Sequence, residues 1–350
     1  MNKRKPLMVL TEQDLIDAKC VNVLEVISVI KKAIMDFQQG KILFPDKISQ
    51  IFNEETQDRI NCMPATLLNE NICGMKWVSV FPRNPREHSI PNVSGSIILS
   101  EIITGQPIAF MDGNICTLMR TAGISAIAAD YYAKKDSKTI GIIGAGEQAK
   151  MHLITMKAVR PSLRVCKVGA TSLESEQRFI NELKDIYSDM EIIPCHGDLQ
   201  KVAEGSDIIV TATSAQAPLL KAEWVGKGSF YAHVAGWEDE FAVAHKADRI
   251  ICDDWNAVKH RTQTLSRMYK CGELTDDNIY ADIHEVIGGQ KDGRYNEDEF
   301  IYFNSVGLSY VDVALSYDFY KKALKYNVGT NFDFQGNSIW GELKQENSNE

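Results

Sequence analysis

The run GAGEQA, 144–149, has the residue types and spacing needed to hold a phosphate. Gly144 ends an apolar β-branched run, TIGII at 139–143, and lets the chain turn sharply. Gly146 removes a side chain, so backbone N–H groups can approach a pyrophosphate. Ala149 stands where the third glycine would be, which the G-x-G-x-x-G/A pattern allows. The helical pattern that follows, with Met151, Ile154 and Met156, turns its positive end to the phosphates. Strand, glycine turn and helix in this order predict a dinucleotide site. The carboxylate expected about 20 residues on, to hold a ribose 2′-OH, is missing. The chain reads VCKVGATSLES there, with no Asp or Glu before Glu174. Thr171 and Ser172, with Lys167 or Arg164 adding positive charge, read instead as partners for a 2′-phosphate. Both NAD and NADP stay open as cofactors.

Two cations are candidates for an anionic ligand. Arg120 lies near the start of a helical stretch of small residues, CTLMRTAGISAIAADYYA at 116–133. A cation there opposes the helix dipole unless an anion joins it. Arg120 and the helix start therefore read as a carboxylate or phosphate site, with a surface salt bridge as the alternative. Lys76, in GMKWV, falls inside an apolar strand on one face with Gly74 and Val78. It either snorkels outward or faces a polar cavity. Lys47 in FPDKISQ and Arg59 in DRINCMPA are further basic candidates. Glu238 and Asp239, in HVAGWEDEFAV, follow a strand end, where parallel sheets bind ligands. They are candidate general acid–base groups, the alternative being a solvated acidic loop. Asp253, Asp254 and Trp255 end the next strand, and loop and cap roles are the plainer reading.

The elements that must position these residues fall into two groups. Strand-like runs at 139–143, 165–168, 191–194, 207–214, 229–236 and 247–254 alternate with helical stretches such as ESEQRFINELKDIYSDM. That alternation predicts an α/β fold, with a doubly wound parallel sheet over 121–305. The flanking regions, 1–120 and 306–350, read as a mostly antiparallel α+β portion. It holds a helix around 22–39, the strands RINCMPA, NICGMKWVSVF, VSGSIILSE and QPIAFMDG, and a late helix folding back onto them. The last stretch, GELKQENSNE, is polar and expected to fray.

A chain of 350 residues fits roughly two domains. Its net charge of −9 argues against nucleic-acid binding, which needs a basic face. No apolar run approaches the roughly 20 residues of a membrane span, and the N-terminal apolar stretch is too short for a signal peptide. The eight cysteines show no C-x-x-C pair and read as buried free thiols in a reducing cytoplasm. Neither they nor the seven histidines have metal-ligand spacing, so no metal is expected.

Several motifs coincide in a recognisable order: MPA at 63–65, GMKWVSVFPRNP at 74–85, IPNVSG at 90–95 and TGQPIAFMDG at 104–113. LMRTAGISAIAA, GIIGAGEQA, IVTATS and FNSVG at 303–307 follow. With these the chain resembles the ornithine cyclodeaminase/μ-crystallin family of NAD(P)-dependent enzymes. The resemblance implies a Rossmann domain, a substrate and dimerisation domain, a homodimer, and an amino-acid substrate in the cleft between domains. It implies that Lys76 and Arg120 bind the substrate carboxylate and shape the nicotinamide pocket, with Arg59 assisting. Gly144, Gly146, Glu147 and Gln148 match the pyrophosphate loop, and Thr213 and Ser305 match other cofactor contacts. Glu238 or Asp239 falls near the acidic residue that handles protons. Two departures stand out: WEDEF replaces an Asp followed by P-G-K, and Asn92 replaces a common Thr next to nicotinamide or substrate.

Trp77, the DDW at 253–255, GRYNEDE at 293–299 and the C-terminal NVGTNFDF are most similar to one branch of the family. That branch oxidises N-(2-amino-2-carboxyethyl)-L-glutamate and supplies 2,3-diaminopropionate for siderophores and peptide antibiotics. Ornithine cyclodeamination, cyclic-imine reduction and non-catalytic NADP binding are the alternatives within the resemblance.

Overall fold

The computed structural model describes residues 5–334 and Trp340; the tail GELKQENSNE lies outside the described residues. In chain order the strands are β1 (Leu7–Leu10), β2 (Ile42–Leu43), β3 (Ile48–Asn53), β4 (Asp58–Leu67), β5 (Ile72–Val80), β6 (Val93–Glu101), β7 (Pro107–Asp112) and β8 (Thr139–Ile143). They continue with β9 (Val165–Gly169), β10 (Glu191–Pro194), β11 (Ile208–Thr211), β12 (Gln216–Leu220) and β13 (Phe230–His233). The last are β14 (Trp237–Asp239), β15 (Arg249–Cys252), β16 (Ile279–Asp282), β17 (Ile301–Asn304) and β18 (Thr330–Phe332).

The first sheet runs β18-β1-β7-β6-β5-β4-β2, with β3 also on β4. Every pair is antiparallel except β1 with β7. Alternation decides its faces. Met63, Ala65 and Leu67 of β4 are buried, while Cys62, Pro64 and Thr66 face the other way and are half-exposed. On the buried face packs the helix Ser309–Tyr326, which lies on β4 and β5, and against it the helix Val23–Gln38, whose buried residues recur at helical spacing.

The helix Asn114–Tyr132 is buried almost all round. Its small residues permit this: a Cβ on Gly123 would sit 2.5 Å from Ile30 Cδ1. It packs against both Val23–Gln38 and the helix Glu147–Val159. A residue on this helix therefore stands between the two sheets.

The second sheet runs β10-β9-β8-β11-β13-β17-β15-β16 and is parallel throughout. The order reverses between β8 and β11, the position at which doubly wound sheets bind ligands, and the glycine turn leaves β8 there. The α/β fold is as the alternation predicts. β16 and β17 were not anticipated, and β17 inserts between β13 and β15. The segment 237–239, for which a solvated acidic loop is the alternative reading of the sequence, forms β14 and pairs with β12. All eight cysteines are free, but they are not all buried: Cys62 and Cys73 are half-buried and Cys271 is exposed. Among the described residues no helix is long and apolar enough to cross a membrane.

Candidate active site

The glycine turn has the geometry its residues require. Gly144 has φ +113°, and a Cβ there would fall 2.5 Å from the Ala212 carbonyl oxygen. A Cβ on Gly146 would meet nothing within 4 Å. Gly146 caps the helix Glu147–Val159 without a side-chain acceptor, so the first helical N–H groups remain available. Thr213 closes on the turn from β11, its Cγ2 3.2 Å from the Cβ position of Gly144. Gln148 Nε2 donates to the Thr117 carbonyl at 3.4 Å, tying the turn to the Arg120 helix. Gln148 Oε1 and Thr117 Oγ1 are buried and without partners. An open cradle beside two orphaned polar atoms fits a dinucleotide. Glu147 is exposed and ion-paired with Lys150.

The cations proposed for a 2′-phosphate are engaged with backbone carbonyls instead. Ser172 Oγ caps the next helix, accepting from Ser175 N at 3.2 Å, and Thr171 is exposed. Lys167 Nζ is drawn 2.6 Å from the Glu204 carbonyl, ahead of β11. Arg164 precedes β9 and donates to the Pro161 and Leu163 carbonyls. Strand direction explains the correction: both side chains leave toward the amino ends of the strands. One carboxylate beyond β9, Glu176, is buried and accepts from the N–H groups of Ala170, His196 and Gly197.

Lys76 and Arg120 converge, and the group they share carries no motif in the sequence. Lys76 Nζ donates to Asp312 Oδ1 at 2.6 Å and Arg120 Nε to the same oxygen at 3.0 Å. Lys76 and Asp312 are fully buried, and Arg120 is 7% exposed. Asp312, on the helix Ser309–Tyr326, is the anion that makes Arg120 tolerable in the first turns of its own helix. Burial pushes the Lys76 ammonium below its ordinary range, the Arg120 charge adds to this, and Asp312 opposes it. Asp312 Oδ2 has no partner. Among the described residues the Nη1 and Nη2 groups of Arg120 have no acceptor either. They face Gly307, where a Cβ would lie 2.2 Å from Nη1. Two cations against one carboxylate leave a net charge of +1 in a buried place, which suits one more carboxylate.

Arg59 lies four residues along β4 from Met63, the cross-strand partner of Lys76, and on the same face. Its Nη1 donates to the Gln57 carbonyl at 2.8 Å, so the structure does not bring it to Asp312. Asn92 precedes β6 at that same end of the sheet, with its Oδ1 buried and unpartnered.

The acids are placed differently from the sequence reading. Glu238 is fully buried and accepts from Thr211 Oγ1, Thr213 N, Thr213 Oγ1 and Ala235 N. Asp239 is fully buried against Thr264 and His233, and burial raises its carboxyl above the ordinary range. Glu238 is saturated with donors and holds the loops after β11 and β13, Asp239 is tied to Thr264 with its Oδ2 buried and unpartnered, and neither lines the cavity described below, so the structure does not place either as its acid–base group. A strand-end position does not say which way a side chain points.

Asp253 Oδ2 accepts from Ser305 Oγ at 3.1 Å, Val306 N at 2.8 Å and Gly307 N at 2.7 Å. Ser305 is thus engaged with protein, and the loop carrying Gly307 is pinned against Arg120. Burial raises Asp253 to about 6, against the pull of its three donors. Asp254 caps the helix Trp255–Val258 through the Ala257 N–H. Asp282, beside both, is raised to about 7 by burial and by the neighbouring charge of Asp254. Its folded carboxyl keeps a proton to about pH 7, whereas the unfolded one loses it near 3.8. Between those values the native state binds more protons, so stability falls as pH rises. Asp282→Asn, which keeps a cap acceptor, should therefore stabilise the protein at pH 8 by on the order of 1–3 kcal/mol. The gain should shrink as the pH falls through that window and be small at pH 4. Urea midpoints at the two pH values measure this, and an equal shift at both would contradict the assignment.

Between the two sheets lies a cavity of about 350 Å³. Phe37, Phe44, Pro45, Asp46, Lys47 and Met63 line one side, and Asp254, Asn256, Ala257, His260, Arg261, Gly307 and Ser309 the other. Lys47 is thus in the wall. Lys76 and Arg120 stand just behind it, at Met63 and Gly307. Among the described residues no group of three His, Cys, Asp or Glu is placed to hold a metal.

Known proteins are similar to this chain over most of its length. N-((2S)-2-amino-2-carboxyethyl)-L-glutamate dehydrogenase of Staphylococcus aureus is 29% identical over 279 residues, covering 79% of this chain and 83% of that protein. Δ(1)-Pyrroline-2-carboxylate reductase of Thermococcus litoralis, solved with NADH and L-proline, is 31% identical with a TM-score of 0.87. The match covers 93% of this chain and 99% of that one. An archaeal alanine dehydrogenase, a dimer with bound NAD, is 29% identical with a TM-score of 0.84, over 94% and 99% of the two chains. The sequence profile of the ornithine cyclodeaminase/mu-crystallin family matches residues 7–327. The chain belongs to the ornithine cyclodeaminase/mu-crystallin family.

Proposed function

We propose that the protein is an NAD(P)-dependent oxidoreductase acting on the CH–NH bond of N-(2-amino-2-carboxyethyl)-L-glutamate. The observation that carries the reading is the buried Lys76–Asp312–Arg120 cluster, one positive charge in excess, with the Arg120 fork free beside Gly307. Relatives that share this architecture are a dehydrogenase of that compound, a pyrroline-carboxylate reductase and an alanine dehydrogenase.

The Arg120 fork takes the glutamate α-carboxylate bidentately, and Lys76 adds charge from behind. That positive charge also favours the unprotonated amine, the form from which hydride can leave. NAD(P)+, held at the glycine turn, supplies the hydride acceptor. Loss of hydride from the glutamate α-carbon gives an imine, and water adds to its carbon. Asp254, a cavity carboxylate that follows Asp253 in the chain, takes the proton from that water. Collapse breaks the C–N bond and releases 2-oxoglutarate, 2,3-diaminopropionate, NAD(P)H and one proton. Incubation with either dinucleotide and the glutamate conjugate should raise absorbance at 340 nm, with both products seen by mass spectrometry. Reduction driven only by ornithine, alanine or proline would replace this substrate with another.

The outer face of the first sheet supports a homodimer. Pro64, Met75, Ile98 and Phe110 are aligned across β4 to β7, with Trp77 beside them. Trp77 is 41% and Phe110 44% exposed in the single chain, a broad apolar surface for a monomer. Phe110→Glu combined with Trp77→Glu should yield monomers in light scattering. An unchanged dimer would place the interface elsewhere.

A further inference from the structure

Buried arginines in this chain are matched almost without exception. Arg160 meets Asp130 and the carbonyls of Ala129, Asp130 and Ala133, and Arg249 meets Glu299 and the Gly293 carbonyl. Arg261 differs. It lines the cavity, and its Nε is buried with no partner. Among the described residues it makes no ion pair. Asp46 is the acid that offsets its charge, and it lies beyond salt-bridge reach. Burial without a partner pulls the guanidinium down to about 10.

Lys47, across the cavity, also has no ion pair or hydrogen bond among the described residues. Leaving a guanidinium desolvated and unmatched is costly, and the cost is relieved when an anion enters. The other charged groups in the wall are Asp46, Asp254 and His260. Asp254 is engaged by the Ala257 N–H, and His260 is exposed.

We propose that Arg261, assisted by Lys47, is a specificity residue that holds a second carboxylate of the substrate. The inference rests on the substrate reading above and extends it. One carboxylate sits at the Arg120 end of the cavity and another at the Arg261 end, so the site prefers dicarboxylic amino acids to those with alkyl side chains. A cavity of about 350 Å³ accommodates such a chain. The planar fork of Arg261 suits a carboxylate better than a point charge does.

The test uses the NADH-loaded full chain, without an amine, and titrates 2-oxoglutarate and 2-oxobutyrate by calorimetry. The native protein should bind 2-oxoglutarate at least about tenfold more tightly, the size of one hydrogen bond to a charged group. Arg261→Gln should remove most of that preference, Arg261→Lys should restore part of it, and Lys47→Met should reduce it severalfold. Retained NADH binding shows that each variant is folded. Equal binding of the two acids by the native protein, or a preference untouched by Arg261→Gln, would overturn the assignment. If the preference depends on Arg261 but the glutamate conjugate is not oxidised, the substrate reading fails while this one stands. If the conjugate is oxidised and the preference ignores Arg261, the reverse holds.

Discussion

Arg120→Met should lower kcat/KM for the amino-acid substrate by at least about a hundredfold, with NADH affinity in the native range. A hundredfold is about 2.7 kcal/mol, within the 2–5 kcal/mol lost when one partner of a desolvated charge pair is removed. The geometry sets both parts of this expectation. Asp312 uses only Nε of Arg120, leaving the two terminal nitrogens for a ligand. The variant does not strand a charge, because Lys76 keeps Asp312 at 2.6 Å. The nucleotide turn touches this helix one turn earlier, at Thr117, so cofactor binding is not undone. Arg120→Lys should recover only part of the rate, since an ammonium cannot fork across two oxygens. Steady-state kinetics with a fluorescence titration of NADH separates the effects. Turnover within about threefold of the native value would remove Arg120 from the site.

Asp312→Asn should destabilise the fold by roughly 3–5 kcal/mol, the loss seen when a buried pair is broken from one side. Its neighbours are two cations, and no other carboxylate reaches them: Lys76 and Arg120 have no other ion pair among the described residues. Asparagine can still accept from Lys76, so the loss is electrostatic rather than steric. Replacing the whole cluster by Asp312→Leu, Lys76→Met and Arg120→Met should recover much of the stability, because well-packed apolar groups replace buried ions at little net cost, whereas leaving Arg120 in place would strand its charge. Urea midpoints for the single and triple variants form the comparison. A single variant within about 1 kcal/mol of native would mean that water, and not Asp312, balances the cations.

The glycine turn, its strand and its helix were legible because local rules govern them: a positive φ at Gly144, an apolar run, a helical period. Lys76 and Arg120 were legible as oddities, a lysine in an apolar strand and an arginine at the wrong end of a dipole. The answer to both oddities, Asp312, was not. It lies 236 residues from Lys76 in an ordinary amphipathic run, and only tertiary folding brings it there. Arg261 was hidden for the same reason, since a basic residue in a loop is usually solvated. Glu238 and Asp239 show the opposite failure. Their place after a strand was read correctly as a place, but the N–H groups around Glu238 had already committed it to architecture, and neither acid lines the cavity. β17 escaped because its run merges into FNSVG, and its position between β13 and β15 is a matter of topology.

The ion cluster spans β5, the helix Asn114–Tyr132 and the last long helix, so its parts are synthesised far apart in time. A ribosome that has made residues 1–300 has produced both cations, both sheets' principal strands and the glycine turn, yet not the carboxylate that steadies them. Lys76 and Arg120 meet their carboxylate only once the helix Ser309–Tyr326 has left the exit tunnel. Truncation just ahead of Ser309 would thus remove an electrostatic keystone as well as apolar packing, and chains ending there should accumulate as protease-sensitive species.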